Sequence, residues 1–206
     1  TVALALTLLV GAGLLVRSFA RLLGVDPGFN PERVLTFNVA LPAASYPNDT
    51  VRVAFFERAT TAIAAVPGVT AVGGTSVLPF GGNWSTGSFT VEGYQAPANT
   101  PGPWGDIRLV TPGFFEALEI PLRQGRGLTP EDRAGGPLVV VVDEEMVARY
   151  WPDQDPIGKR ITFNNPGDSA FTWIEVVGVV GHTMHEGLDG GRRVQLYMPI
   201  TQVPIP

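Results

Sequence analysis

The first sixteen residues, TVALALTLLVGAGLLV, contain no charge, and such a run constrains the chain more than any motif downstream. As a helix it rises about 24 Å, short of a hydrocarbon core of roughly 30 Å. Continued through Arg17, Ser18, Phe19, Ala20, Arg21, Leu22 and Leu23, it reaches about 35 Å, and both arginines can keep their charged heads at the interface. The expectation is a transmembrane helix from Thr1 to Leu23 whose start is truncated, since the chain opens without Met. Two alternatives fit less well. A buried core helix rarely opens a chain and ends in an Arg-x-x-x-Arg collar. A signal peptide carries basic residues ahead of its apolar run and a small-x-small cleavage site behind it; here Gly11-Ala12-Gly13 lies inside the run. Gly11 and Gly13 would admit a neighbouring helix, although their spacing is not GxxxG.

Beyond this anchor roughly 180 residues remain, enough for one sizeable domain or two small lobes. A net charge of −5 argues against nucleic acid as a partner, because a phosphate backbone needs a basic face. The absence of cysteine excludes a disulfide framework and thiolate metal sites. The 25 Gly and 19 Pro predict short elements separated by many turns.

The cluster Asp26-Pro27-Gly28-Phe29-Asn30-Pro31 breaks the helix and makes residues 24–33 a linker. Residues 34–41, VLTFNVAL, alternate like a strand with Leu35, Phe37, Val39 and Leu41 on the core face. A helix capped by Asn48 or Asp49 follows over 51–66, burying Phe56 and Ile63, and Pro67-Gly68 stops it. With a strand at 69–77, this predicts a β-α-β start. Residues 78–88, LPFGGNWSTGS, form an exposed Gly-rich loop carrying Phe80 and Trp84, the segment expected to meet a partner or a second half of a dimer. Short strands are predicted at 88–92 and 106–110, around a Pro-rich excursion that cannot be a central strand. Pro112 is expected to open a short helix over 113–118. Residues 121–132 read as a loop. The run at 138–142, with Val139 and Val141, suggests a strand covered on both faces. Asp143 caps a helix over 144–150; strands at 159–163, at 173–180 with Val176 and Val179, and at 194–198 close the chain. The pattern is α+β: mixed β-sheets with β-α-β pieces, possible as two lobes, with an inserted lobe at about 78–130 in a domain spanning 34–206.

Catalytic motifs are missing. A phosphate-binding loop needs GxxxxGK[ST], but Gly158-Lys159 is followed by Arg160. No GxGxxG and no GxSxG occurs. His182, His185 and Glu186 could in principle ligate zinc, but they are not HExxH, and Gly178, Gly181 and Gly187 suggest a turn. The favoured reading is a solvent-facing or supporting pair in a β-connection. Asp143, Glu144 and Glu145 read as an N-cap with acids in the first helical turn, and Arg123 and Arg126 as loop or ion-pair residues. The sequence thus predicts no catalytic residue, cofactor site or metal site, and no enzyme.

Several strings together resemble a family: LLVRSFARLLGVDPGFNPERVLT (14–36), PGV (67–69), TPGFFEALEIPLRQGR (111–126), DEEMVARYWPDQDPIGKRI (143–161) and VVGVVGHTMHEGLD (176–189). The chain resembles the periplasmic core domain of ABC transporter permeases of the FtsX/MacB type, most of all the acidobacterial duplicated permeases. The resemblance implies a non-catalytic domain in the periplasm, anchored in the bacterial inner membrane. It would be driven by a separate ATP-binding subunit or domain, paired with a second permease half or copy, and would couple conformational change or contact substrate for export. The competing reading is a membrane-tethered extracytoplasmic sensor or ligand-binding domain without transport, which a full gene encoding a single anchor would favour. Arg17 and Arg21 stand against the implied topology, because the positive-inside rule places a basic flank in the cytoplasm.

Overall fold

The computed structural model describes residues 2–82, 85–164, 168, 171–185, 187 and 191–203. The apolar run forms α1, Val2–Leu23. It is about 33 Å long at 1.5 Å per residue, and its Val2–Arg21 span packs against nothing in the domain. By length and composition it is the one helix among the described residues that could cross a membrane. Gly24 closes its last turn by donating to the Arg21 carbonyl. The side chains of Asp26 and Asn30 then accept from the backbone N–H of Gly28 and Glu32. These local turns are the physical form of the predicted breaker.

The predicted β-α-β start is not formed. Residues 34–41 lie outside any strand; Leu35 is 88 % exposed, Phe37 64 % and Val39 44 %, and Leu41 is only partly covered. Period-2 alternation buries one face only when a neighbouring strand completes a sheet, and among the described residues this stretch has none. Helix α2, Asp49–Ala64, does form, with the Asn48 side chain accepting from the Val51 N–H. It buries no residue; Phe56 and Ile63, expected in the core, are half-buried. Residues 69–77 make a single antiparallel bridge, Thr75 to Val110. Gly73 is pressed against the next helix so closely that a Cβ would fall 2.4 Å from the Phe114 Cα.

The rest is one mixed eight-stranded sheet. Its strands are β1 (Thr86–Ser88), β2 (Thr90–Val91), β3 (Trp104–Val110), β4 (Leu122–Gly125), β5 (Val139–Asp143), β6 (Arg160–Thr162), β7 (Ile174–Val180) and β8 (Gln195–Pro199), in the order β1-β3-β8-β5-β7-β6-β2. β5 runs parallel to β7 and β3 to β8; the remaining pairs are antiparallel. β4, expected as loop, pairs with β7 on the edge β7 also gives to β6. The α+β class is therefore present, and strands from residues 86–125 share a sheet with those from 139–199.

Each face of the sheet buries its own core, and the alternation of β5 separates them. Val140 and Val142 face Met146, Tyr150 and Trp151 of α4 (Glu144–Tyr150) and its end. Val139 and Val141 face Phe114 and Phe115 of α3 (Phe114–Ala117). α3 starts one residue later than its proline suggested: Gly113, at φ +88°, is the N-cap. On β7 the phase slips, with Ile174, Val176 and Val179 on one side and Val180 on the other. A bulge opposite Val140 and Val141 accounts for it. Gly178 sits at this bulge, where a Cβ would lie 2.0 Å from the Arg126 carbonyl oxygen.

Candidate functional site

Register brings three polar positions to one end of the sheet. Asp143 ends β5 opposite Val180 of β7, Gln195 opens β8, and Asp106 of β3 lies opposite Gln195. On β3 the period of two places Asp106 and Arg108 on the face that carries Val110, and on β8 it places Gln195 beside Tyr197. Residues 182–185 leave β7 as a strap over these side chains.

Asp143 is the junction of three elements. Its Oδ1 accepts from the Met146 N–H at 3.0 Å, capping α4, and from the Gln195 N–H at 3.1 Å. Its Oδ2 lies 2.6 Å from His182 Nδ1. Burial pushes the Asp143 carboxyl above its ordinary pKa, while His182 and the two backbone donors pull the other way. A second chain runs beside it. Arg108 Nε, 3.4 Å away, donates to Nδ1 of His185; the opposite ring nitrogen, Nε2, is 3.0 Å from Thr183 Oγ1. Thr183 donates in turn to Gln195 Oε1 at 2.9 Å, and Tyr197 also donates to that oxygen. Gln195 Nε2 closes the ring on the Thr183 carbonyl. This directionality fixes a neutral His185 with its proton on Nε2. Burial first, and then the Arg108 charge, lower its pKa to about 3. Burial likewise raises Tyr197 and lowers Arg108, the latter opposed by Asp106 at 3.2 Å.

His182 and His185 are thus buried, which removes the solvent-facing alternative and leaves the supporting pair; the strap folds them inward because the polar face of β3, β5 and β8 supplies partners. Glu186 and Trp84 lie outside the described residues. The ring nitrogens of His185 are both engaged, and the guanidinium at Nδ1 opposes a cation there. Among the described residues no three His, Cys, Asp or Glu side chains gather as a metal site would need. Asp143 caps α4 as expected, and Glu144 and Glu145 pair with Arg123 at 3.4 Å and Arg149 at 3.5 Å. Arg126 grips Asp132 with two bonds of 2.7 and 2.9 Å. Burial alone would raise the Asp132 carboxyl, but Arg126 and the Thr129 N–H hold it below the usual range.

Sequence reasoning did not find Asp106, Arg108, Thr183, Gln195 or Tyr197. The available signal was polar residues at period two inside otherwise buried strands, which becomes legible only once the strands are aligned. A cavity of about 90 Å³ adjoins the network, lined by Asp106, His182, Met184, His185, Arg193 and Gln195 among others. Asp106 Oδ1 is buried there without a hydrogen bond, 3.6 Å from Arg193.

The strap also receives the linker from α1. The Met184 N–H donates to the Pro27 carbonyl at 2.8 Å, and Asn30 N–H to that of Leu118 at 2.9 Å. Gly28, at φ +81°, approaches so closely that a Cβ would lie 2.0 Å from the His182 oxygen. Phe80 N–H donates to the His185 carbonyl at 2.9 Å. Chemically the arrangement ties α4, β8, the strap and the linker together; among the described residues it presents no activated nucleophile.

The MacB-like periplasmic core domain family matches residues 1–205. The macrolide export ATP-binding/permease protein MacB of Aggregatibacter actinomycetemcomitans is 31 % identical over 90 residues, covering 44 % of this chain and 13 % of that protein. Among solved structures, the periplasmic region of MacB from Actinobacillus actinomycetemcomitans aligns at TM-score 0.48 and 20 % identity, covering 71 % of this chain and 56 % of the other. The extracellular domain of the ABC-type transporter YknZ from Gram-positive bacteria aligns at TM-score 0.40 and 16 % identity, covering 69 % and 61 %. The matched part is thus a small fraction of the curated relative and less than two thirds of either solved domain.

Proposed function

The chain belongs to the MacB-like periplasmic core domain family, and from that premise we propose that it is the extracytoplasmic, non-catalytic domain of an ABC-type transporter permease. Residues 1–23 anchor it in the inner membrane, 24–33 link, and 34–206 form the domain. Its work is to couple conformational change or to contact partners or substrate during export. A separate ATP-binding subunit or domain supplies energy, and a second permease half or copy stands beside it. The family match over residues 1–205 carries this reading. Two features support it: α1 is apolar and packs on nothing in the domain, and the buried polar side chains at the sheet end bond mainly to one another.

Topology tests it. Ala134 is exposed, and the chain has no cysteine. In the full-length protein, Ala134→Cys should react with a membrane-impermeant maleimide in cells whose outer membrane alone is permeabilised. Protection until the inner membrane is opened would place the domain in the cytoplasm, in agreement with Arg17 and Arg21, and would end the transport reading.

A further inference from the structure

Outside α1, eight large apolar side chains among the described residues are exposed, and four of them, Leu78, Phe80, Trp104 and Leu122, lie along the sheet end that receives the linker. Leu122 is 48 % exposed and opposes Val180. Trp104, 43 % exposed, stands two residues beyond Asp106 and carries the Arg193 guanidinium at 5.4 Å from its ring centroid. Phe80, 46 % exposed, is bonded through its N–H to the strap, and Leu78, 37 % exposed, lies in the same turn. The opposite end of the sheet, where Ala134 N–H bonds Thr201 beyond β8, has none of these.

Phe80 is also held in an unusual way. Its φ of +57° is one that bulky residues rarely adopt, yet its ring is neither buried nor free. It lies 5.9 Å from the ring of Phe29, and Phe29 is six residues past the end of α1. Six residues span at most about 20 Å, against a headgroup layer of roughly 5–8 Å on each side of the hydrocarbon core. An outward-held aromatic tied to a short linker, with an aromatic–arginine pair at the same sheet end, has the composition of a membrane-interface belt.

We propose that this end of the domain rests on the phospholipid surface crossed by α1, with Leu78, Phe80, Trp104 and Leu122 seated among the headgroups. The proposal rests on α1 being a membrane span. The contact fixes the tilt of the domain, and the strap beneath Phe80 connects it to the polar network.

The test uses the full chain, α1 included, in nanodiscs of phosphatidylethanolamine and phosphatidylglycerol. An environment-sensitive fluorophore is attached in turn to Leu9→Cys, Phe80→Cys, Leu122→Cys and Ala134→Cys, and quenching by brominated lipid is read. Quenching at 80 and 122 should exceed that at 134 several-fold, with position 9 quenched most. Quenching at 9 but background at 80 and 122 would overturn the surface contact while leaving the span intact. Shielding of 80 and 122 from aqueous iodide without lipid quenching would assign the patch to a protein partner and equally overturn it. If position 9 is not quenched, the span reading and this proposal fall together.

Discussion

Replacing Asp143 separates a structural junction from a dispensable buried acid. Asp143→Ala removes the α4 N-cap, worth about 1 kcal/mol. It also leaves the Gln195 N–H and the His182 ring N–H buried without an acceptor, at about 1–3 kcal/mol each. The sum is roughly 3–7 kcal/mol, a large part of the about 5–15 kcal/mol that holds a typical domain together. At about 2–4 °C per kcal/mol for a domain of this size, the midpoint should fall by roughly 6–28 °C. Asp143→Asn keeps Oδ1 for both backbone donors, and its amide can donate to His182 if the ring moves its proton to Nε2. That substitution loses only the charge reinforcement, about 1–2 kcal/mol. Circular-dichroism melts of the detergent-held chain at neutral pH measure both. An alanine variant within about 1 kcal/mol of the parent, or an asparagine variant as damaged as the alanine, would refute the junction.

Because His185 titrates at about 3 in the fold against 6.5 unfolded, acid protonates the unfolded chain first, so its contribution is full above pH 6.5 and falls as pH drops. Between pH 7 and 5 this amounts to about 2 kcal/mol; His185→Gln should flatten that slope in melts across pH, and an unchanged slope would assign it elsewhere. Gly178→Ala drives a Cβ into the Arg126 carbonyl and should cost upward of about 3 kcal/mol, with hydrogen exchange at the Arg126 amide rising as β4 detaches. Gly68→Ala, at a positive φ but with nothing within 4 Å of the added Cβ, should cost only about 1–2 kcal/mol. Asp132→Asn weakens the Arg126 clamp, and because that arginine is half-exposed the loss should stay near about 1 kcal/mol. Its effect should vanish at acid pH, since the parent carboxyl, held low by Arg126, contributes above its unfolded pKa and loses that contribution as pH falls.

What the sequence determined by itself was local or one-dimensional. Sixteen uncharged residues specify an apolar helix wherever they are placed. Asn48 and Asp143 are caps because a short oxygen-bearing side chain ahead of a helix satisfies its first N–H groups. The run 139–143 declared its two-sided burial because no polar residue interrupts it before Asp143. Alternation misled at 34–41, where Leu35 and Phe37 have the pattern of a buried face but no strand to form one. It also concealed β4, because Leu122–Gly125 has no pattern of its own and is a strand only through β7. The buried network was beyond reach for the same reason. Asp106, Asp143, His182 and Gln195 are separated by up to 89 positions in the chain, and each alone reads as a surface residue, a cap or a turn. Only the register of β3, β8, β5 and β7 places them at one end of the sheet, where each supplies the hydrogen bond that makes burial of the next tolerable.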